Sequence, residues 1–282
     1  MSVPEVKDFT SEKATWCPGC GDFGVLRALQ LAMINLGLEP HNVVLVSGIG
    51  CSGKITSYFR SYGFHSMHGR TLPVATGIKI APPDLTLLVA GGDGDGYGIG
   101  LNHLIHAIRR NVNLTYVVMD NGVYGNTKGQ TAPNSERGYI SSSSPYGAVE
   151  DPIQILPLAA GAGIGFLAQG ISSDVAQLTD LIVRGIHYEG FALINVISPC
   201  VTYDKVHTYE WYKANTYRYD EEVKESLPWQ ASCEGSPLGI LVNRNREDYS
   251  RRVRAFSGDF VLPVHQADIE HAYRGLLERY QE

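Results

Sequence analysis

Along the chain, short runs of apolar residues alternate with segments of helical period. This order predicts parallel strands buried on both faces and covered by helices. Strands are expected at 42–47 (NVVLVS), 85–91 (LTLLVAG), 114–119 (LTYVVM) and 191–197 (FALINVI), with a shorter one near 165–168. Helices are expected at 23–36, 72–81, 98–110, 152–162 and 173–186. The fold class is therefore α/β, a doubly wound and mostly parallel sheet. Residues 121–150 are rich in Gly, Ser, Asn and Pro and read as one long loop, of the kind that is usually functional. From Tyr203 the alternation stops, and tyrosines and Trp211 sit among charges. The chain thus divides into an α/β domain, 1–202, and a C-terminal arm, 203–282, packed on a partner or back on its own domain.

Composition narrows the function. Of 282 residues, 44% are hydrophobic and 18% charged, the profile of a globular protein. The formal net charge is −6 and no long basic run occurs, so neither nucleic acid nor an anionic membrane is an expected partner. The least polar stretch, 155–168, is broken by Pro157 and three glycines and is too short to span a bilayer. The first residues lack an apolar signal core, so a cytoplasmic location is expected. The five cysteines are an odd set in a reducing compartment, which favours metal or redox chemistry over disulfides.

Ligands of open parallel sheets bind beyond the carboxyl ends of the strands. Those ends carry GIGCSGK (48–54), GGDGDG (91–96), DNGVYGNTKGQ (120–130) and SPC (198–200). Gly48, Gly50 and Gly53 spell a dinucleotide fingerprint. No acid falls between Glu39 and Asp84 to take the ribose hydroxyls, so the NAD reading is weak. Asp93 and Asn121 stand on neighbouring strand tips, an oxygen-rich pair suited to Mg²⁺. The glycines beside them let backbone approach a diphosphate, and a helix starting near Gly98 can aim N–H groups at it. Cys17 and Cys20 (WCPGCG), Cys51 and Cys200 can converge from a helix start and two strand tips. Four thiolates suit either zinc or an iron–sulfur cluster. Cys233, in a polar turn, is read as a spare thiol. His103 and His106 share a helix face with no third ligand.

Gly92-Asp93-Gly94 followed by Asn121 resembles the GDG…N signature of thiamine diphosphate enzymes. The resemblance implies that Asp93, Asn121 and the Val123 carbonyl hold Mg²⁺, with Gly94 and Asp95 against the diphosphate. One departure is Asp120, where many members have an asparagine. The set WCPGCGD, GIGCSGK, HGRTLPVATGIK (68–79), GGDGDG, DNGVYGNTKGQTAPNS (120–135) and SPC covers nearly the whole chain. It resembles the β subunit of 2-oxoacid:ferredoxin oxidoreductases, and YGNTKGQ is closer to the 2-oxoglutarate branch than to the pyruvate branch.

That resemblance implies an oxidoreductase converting a 2-oxo acid, coenzyme A and oxidised ferredoxin to acyl-CoA, carbon dioxide and reduced ferredoxin. It implies one [4Fe–4S] cluster on Cys17, Cys20, Cys51 and Cys200. A cluster has a use beside thiamine because it removes electrons one at a time, which zinc cannot do. The cofactor-binding set it implies comprises Gly50, Cys51, Ser52, Lys54, His68, Gly92, Asp93, Gly94, Asp95, Asn121, Val123, Tyr124, Gly125, Asn126 and Thr127. Lys54 and Lys128 are candidates for the second carboxylate of a dicarboxylic substrate, and His68 for the diphosphate or a reacting group. Thiamine activation needs a carboxylic acid against the aminopyrimidine, yet no glutamate occurs between Glu39 and Glu136. An α subunit is therefore expected to supply it, and a separate ferredoxin to take the electrons. The competing readings are a pyruvate or broad-specificity enzyme, a non-oxidative thiamine decarboxylase subunit, and a zinc-stabilised non-catalytic subunit.

Overall fold

The structure, a computed structural model, describes residues 4–81, 84–219 and 235–257. Its strands are β1 (Val43–Ser47), β2 (Tyr62–His65), β3 (Thr86–Gly92), β4 (Leu114–Asp120), β5 (Val123–Tyr124), β6 (Gln130–Thr131), β7 (Phe166–Ile171), β8 (Phe191–Ile197), β9 (Thr216–Arg218) and β10 (Ser236–Asn243). The helices are α1 (Asp22–Asn35), α2 (Ile55–Tyr58), α3 (Thr71–Ile80), α4 (Leu101–Arg110), α5 (Ile155–Gly161), α6 (Val175–His187), α7 (Tyr209–Ala214) and α8 (Tyr249–Ser257). Eight strands form one sheet in the order β2-β1-β3-β4-β8-β7-β10-β9, and β5 and β6 make a separate hairpin.

Every pairing in the large sheet is parallel except β10 with β7. Burial on both faces explains the unbroken apolar runs of the central strands. In β8, Ala192, Ile194 and Val196 point into one core, packed by Leu29 and Met33 of α1 and Leu178 and Ile182 of α6. Phe191 and Leu193 point into the other, packed by Leu72 of α3, Leu104 of α4 and Ala159 of α5. The sheet is thus doubly wound, as expected. Because β1, β3, β4 and β8 run parallel, their carboxyl ends share one edge, and the site lies there.

Several elements depart from the expectation. The segment near 165–168 is a full strand, β7, buried along its length. The helical path after β3 begins at Gly94 rather than near Gly98. A wide turn, Gly94–Ile99, springs directly from the strand, kinks at Gly98, and hands over to α4 at Leu101. β2 has no apolar run to announce it, since all four of its residues are exposed at the sheet edge. Residues after 203 pack back on the sheet through β9 and β10. Cys233 lies outside the described residues. Among them, no helix is long and apolar enough to cross a membrane.

Candidate cofactor and cluster site

The tips of β1, β3 and β4, together with the β5–β6 hairpin, enclose a cleft of about 190 Å³. Its lining takes in Gly50, Cys51, Ser52, His68, Gly92, Asp93, Gly94 and Asp95, then Asn121, Val123, Tyr124, Gly125, Asn126 and Thr127. Of the expected cofactor set only Lys54 is missing. Ile49, which carried no signal in the sequence, is added.

Asp93 stands at the centre, 2% exposed. Its Oδ2 has no hydrogen-bond partner. Burial pushes its carboxyl well above the ordinary range, and the nearby Asp120 carboxylate pushes it further. Asp120 is satisfied by the Nδ2 groups of Asn134 and Asn195. The Asn121 side chain accepts from the Val123 N–H at 3.0 Å, fixing the turn that follows β4. A buried acid with an orphaned oxygen beside an amide oxygen fits a hard divalent cation. Gly94 must be glycine because the Tyr124 ring packs directly against it. A β-carbon there would fall 2.2 Å from Tyr124 Cε1.

Asp95 lies in the cleft as expected and has a further task. Its Oδ1 accepts from the backbone N–H of Ile49 (3.1 Å) and Gly69 (2.7 Å) and pairs with His68 Nδ1 (2.9 Å). The carboxylate thus ties the loops after β1 and β2 to the turn after β3. The pairing engages His68 Nδ1, so Nε2 is the ring nitrogen left for a ligand. Gly48 makes room for this grip: a β-carbon would meet Asp95 Oδ2 at 2.1 Å. Gly48→Ala is therefore expected to lower stability by about 1–3 kcal/mol and to weaken cofactor retention, as read from urea unfolding and bound thiamine diphosphate.

Lys54 and Lys128 are not brought into the cleft. Lys54 is half-buried on the turn after Cys51, where its charge favours the Cys51 thiolate. Lys128 is exposed, with φ +79° at the end of the hairpin turn, its N–H bonded to the Gly125 carbonyl.

The four cysteines gather beside the cleft. The Cys20 N–H donates to the Cys17 carbonyl at 3.0 Å, and the Gly21 N–H reaches the Pro199 carbonyl, joining this turn to the Cys200 loop. The space above Gly125 is bounded by Cys200 Sγ at 3.4 Å and Cys51 Sγ at 3.8 Å from an added β-carbon. Cys51 thus borders both the cysteine group and the cleft. Trp16 holds the Cys51 carbonyl through its Nε1 at 2.7 Å. Burial pushes the Cys51 thiol up to about 11 and raises Cys20 further, with the neighbouring Asp22 adding to both. Asp22 itself is raised to about 6 by burial, partly offset by the Ser198 hydroxyl at 2.8 Å. Trp16 and Asp22 were visible in WCPGCGD but carried no role there. All four thiols are unpaired. Among the described residues, no three His, Cys, Asp or Glu groups stand close enough to share a single metal ion. Cys20 lies within electrostatic reach of Cys51 and Cys200, and Cys51 within reach of Cys17 and Cys200.

A doubly wound sheet presenting an acid and an amide on adjacent tips offers a divalent cation and a diphosphate one shared edge. The family model "Thiamine pyrophosphate enzyme, C-terminal TPP binding domain" matches residues 48–196. A second family model, for the C-terminal part of the pyruvate ferredoxin oxidoreductase beta subunit, matches residues 200–258. A 2-oxoacid:ferredoxin oxidoreductase subunit beta from Sulfolobus sp is 43% identical over 272 residues, 88% of each chain. The 2-oxoglutarate oxidoreductase subunit KorB of Mycobacterium tuberculosis is 44% identical over 195 residues, 69% of this chain and 52% of that one. Among solved structures, a 2-oxoglutarate:ferredoxin oxidoreductase from Magnetococcus marinus, with 2-oxoglutarate, coenzyme A and succinyl-CoA bound, superposes with a TM-score of 0.88 at 36% identity, covering 97% of both chains. The chain belongs to the 2-oxoacid:ferredoxin oxidoreductase β subunits. It is an enzyme subunit, and a β subunit implies an α partner.

Proposed function

We propose that this chain binds thiamine diphosphate, Mg²⁺ and one [4Fe–4S] cluster and, with an α subunit, oxidises 2-oxoglutarate with coenzyme A to succinyl-CoA and carbon dioxide, passing electrons to a ferredoxin. The single observation that carries the reading is the position of Cys51, which lines the cofactor cleft and also borders the cysteine group. Asp93, Asn121 and the Val123 carbonyl would hold Mg²⁺, and Cys17, Cys20, Cys51 and Cys200 the cluster. When bound, thiamine diphosphate supplies the carbanion chemistry that splits carbon dioxide from a 2-oxo acid, and the cluster accepts electrons singly.

The chain's own residues have definite tasks. Asp93 supplies negative charge in a dry setting where a cation must answer it. Gly92 and Gly94 line the cleft where the diphosphate would sit. Asp95 fixes His68 and the loop bearing Ile49 and Cys51. The cleft, at about 190 Å³, is smaller than the roughly 300–1,000 Å³ of self-sufficient ligand sites and has no glutamate in its lining. Both facts support an α chain that completes it. The division near residue 202 is supported by one family model ending at 196 and the other beginning at 200.

Two relatives named for 2-oxoglutarate and the YGNTKGQ stretch support that substrate. Neither lysine lines the cleft, so the groups of this chain proposed to meet it are among the cleft's polar side chains, His68, Asn126 and Thr127. The test is anaerobic reduction of a viologen dye by the αβ complex, with and without coenzyme A. Coenzyme A-dependent reduction with 2-oxoglutarate well above that with pyruvate is expected. A preference for pyruvate would overturn the substrate, and equal rates without coenzyme A would overturn its role as acyl acceptor.

A further inference from the structure

The tyrosine-rich segment after Cys200 plays no part in the cofactor or cluster set, yet it contains a closely built ionic contact. His207 presents Nδ1 to Asp204 Oδ2 at 2.7 Å and Nε2 to Glu136 Oε2 at 3.3 Å. A protonated ring would present an N–H to each carboxylate, to the buried Asp204 at hydrogen-bond distance and to the exposed Glu136 as an ion pair. The His207 side chain is only 11% exposed, and that of Asp204 3%. Asp204 is itself pinned by the backbone N–H groups of Val206 and His207 at 2.9 and 3.0 Å, and its own N–H reaches the Cys200 carbonyl at 3.0 Å. Tyr139 stacks on the imidazole at 6.1 Å, and Trp211 meets it edge-on at 4.7 Å.

The other end of this contact leads to the cofactor cleft within two residues. Glu136 follows Ser135, whose hydroxyl donates to the Gly122 carbonyl, and Asn134, whose amide donates to Asp120. Gly122 and Asp120 flank Asn121. His207, Asp204 and Glu136 also line a second cavity of about 460 Å³, and Asn121 lines both that cavity and the cofactor cleft.

We infer that His207 is a positioning residue, whose imidazolium latches the 121–150 loop through Glu136 and Tyr139 to the segment behind Cys200, holding Asn121 and the cleft wall in register. Its importance for the cofactor rests on the cleft assignment above, whereas the latch itself does not. The groups facing His207 are Asp204 from its own segment, Glu136 and Tyr139 from the loop, and Tyr212 from α7. The hydrogen bond that His207 donates to Asp204 raises its pKa above the ordinary value, burial opposes this, and Glu136 adds to the rise. Burial holds Tyr139 and Tyr212 well above the ordinary tyrosine range, so both stay neutral as His207 titrates. For a raised histidine the sign is fixed: the latch is fully closed below the ordinary imidazole value and opens as pH rises through the raised one.

The test is amide hydrogen exchange of the 128–150 region in the αβ complex between pH 6 and 9, expressed as protection over the intrinsic rate at each pH. Reporter bonds are Gly138 N–H to Ala148 carbonyl (2.7 Å) and Ala148 N–H to Tyr139 carbonyl (2.9 Å). Wild type should lose about tenfold in protection across this range, as for a charge-assisted hydrogen bond of about 1.5 kcal/mol. His207→Gln should show low protection at both ends and a flat profile, and Glu136→Gln a midpoint shifted toward lower pH. A wild-type profile that is flat, or a His207→Gln profile that keeps the wild-type fall, would overturn the latch. Normal latch behaviour in a complex that never retains thiamine diphosphate would leave the latch standing and count against the cofactor reading instead.

Discussion

Asp93→Ala is expected to strip the complex of thiamine diphosphate and Mg²⁺ while leaving the iron content unchanged. Asp93 is 2% exposed, with one oxygen lacking any partner and a second buried acid, Asp120, next to it. Two ionised carboxylates in such a place are costly, and a cation between protein and diphosphate would offset that cost. Removing one member of a buried charged set typically costs about 3–5 kcal/mol, which corresponds to a loss of at least about a hundredfold in affinity. Asp93→Asn, which keeps the shape and deletes the charge, should lose binding nearly as completely. Thiamine diphosphate content after gel filtration and a Mn²⁺ titration check this. Normal cofactor content in either variant would remove Asp93 from the site.

Cys200→Ala is expected to bleach the protein. Cys200 Sγ and Cys51 Sγ flank Gly125, and the Cys200 loop is stitched to the Cys17–Cys20 turn by the Gly21 to Pro199 bond. Removing Cys200 opens the ring of four thiols at the corner nearest the hairpin, and an all-cysteine cluster depends on all four. Iron, acid-labile sulfide and visible absorption should fall together, and dye reduction with them, while thiamine diphosphate is retained. Cys233→Ala should keep full colour. If Cys233→Ala bleached and Cys200→Ala did not, the ligand set would be wrong.

The parts of this protein read most easily from sequence are those governed by short-range pattern. The strands β1, β3, β4 and β8 are buried on both faces, so their apolar runs are unbroken and their ends fall within a residue or so of the expected ones. Since the strands are parallel, the residues after them share an edge, and fourteen of the fifteen expected cleft residues line one cleft. What sequence conceals is which way a polar side chain turns. Asp95 follows the GDG motif and reads as a diphosphate neighbour, yet its direction is set by donors at Ile49, His68 and Gly69, remote in sequence. Lys54 and Lys128 sit on the right loops but outside the lining, because a loop position does not determine a long side chain's direction. The His207 contact joins groups about seventy positions apart, with nothing local to mark it. β2 and β10 escaped for a related reason. An exposed edge strand and a strand added antiparallel from the C-terminal segment lack the periodicity of the buried ones.

The central claim is that one β chain carries both a thiamine diphosphate site and an iron–sulfur cluster sharing the wall at Cys51. The measurement that tests it most directly is the visible spectrum of the anaerobically purified αβ complex, with metal analysis, before and after 2-oxoglutarate and coenzyme A. Wild type should contain iron and sulfide that disappear in Cys51→Ala, and its absorption should bleach on addition of the substrates. A complex holding zinc and no iron, or one whose iron is unaffected by Cys51→Ala, would contradict it.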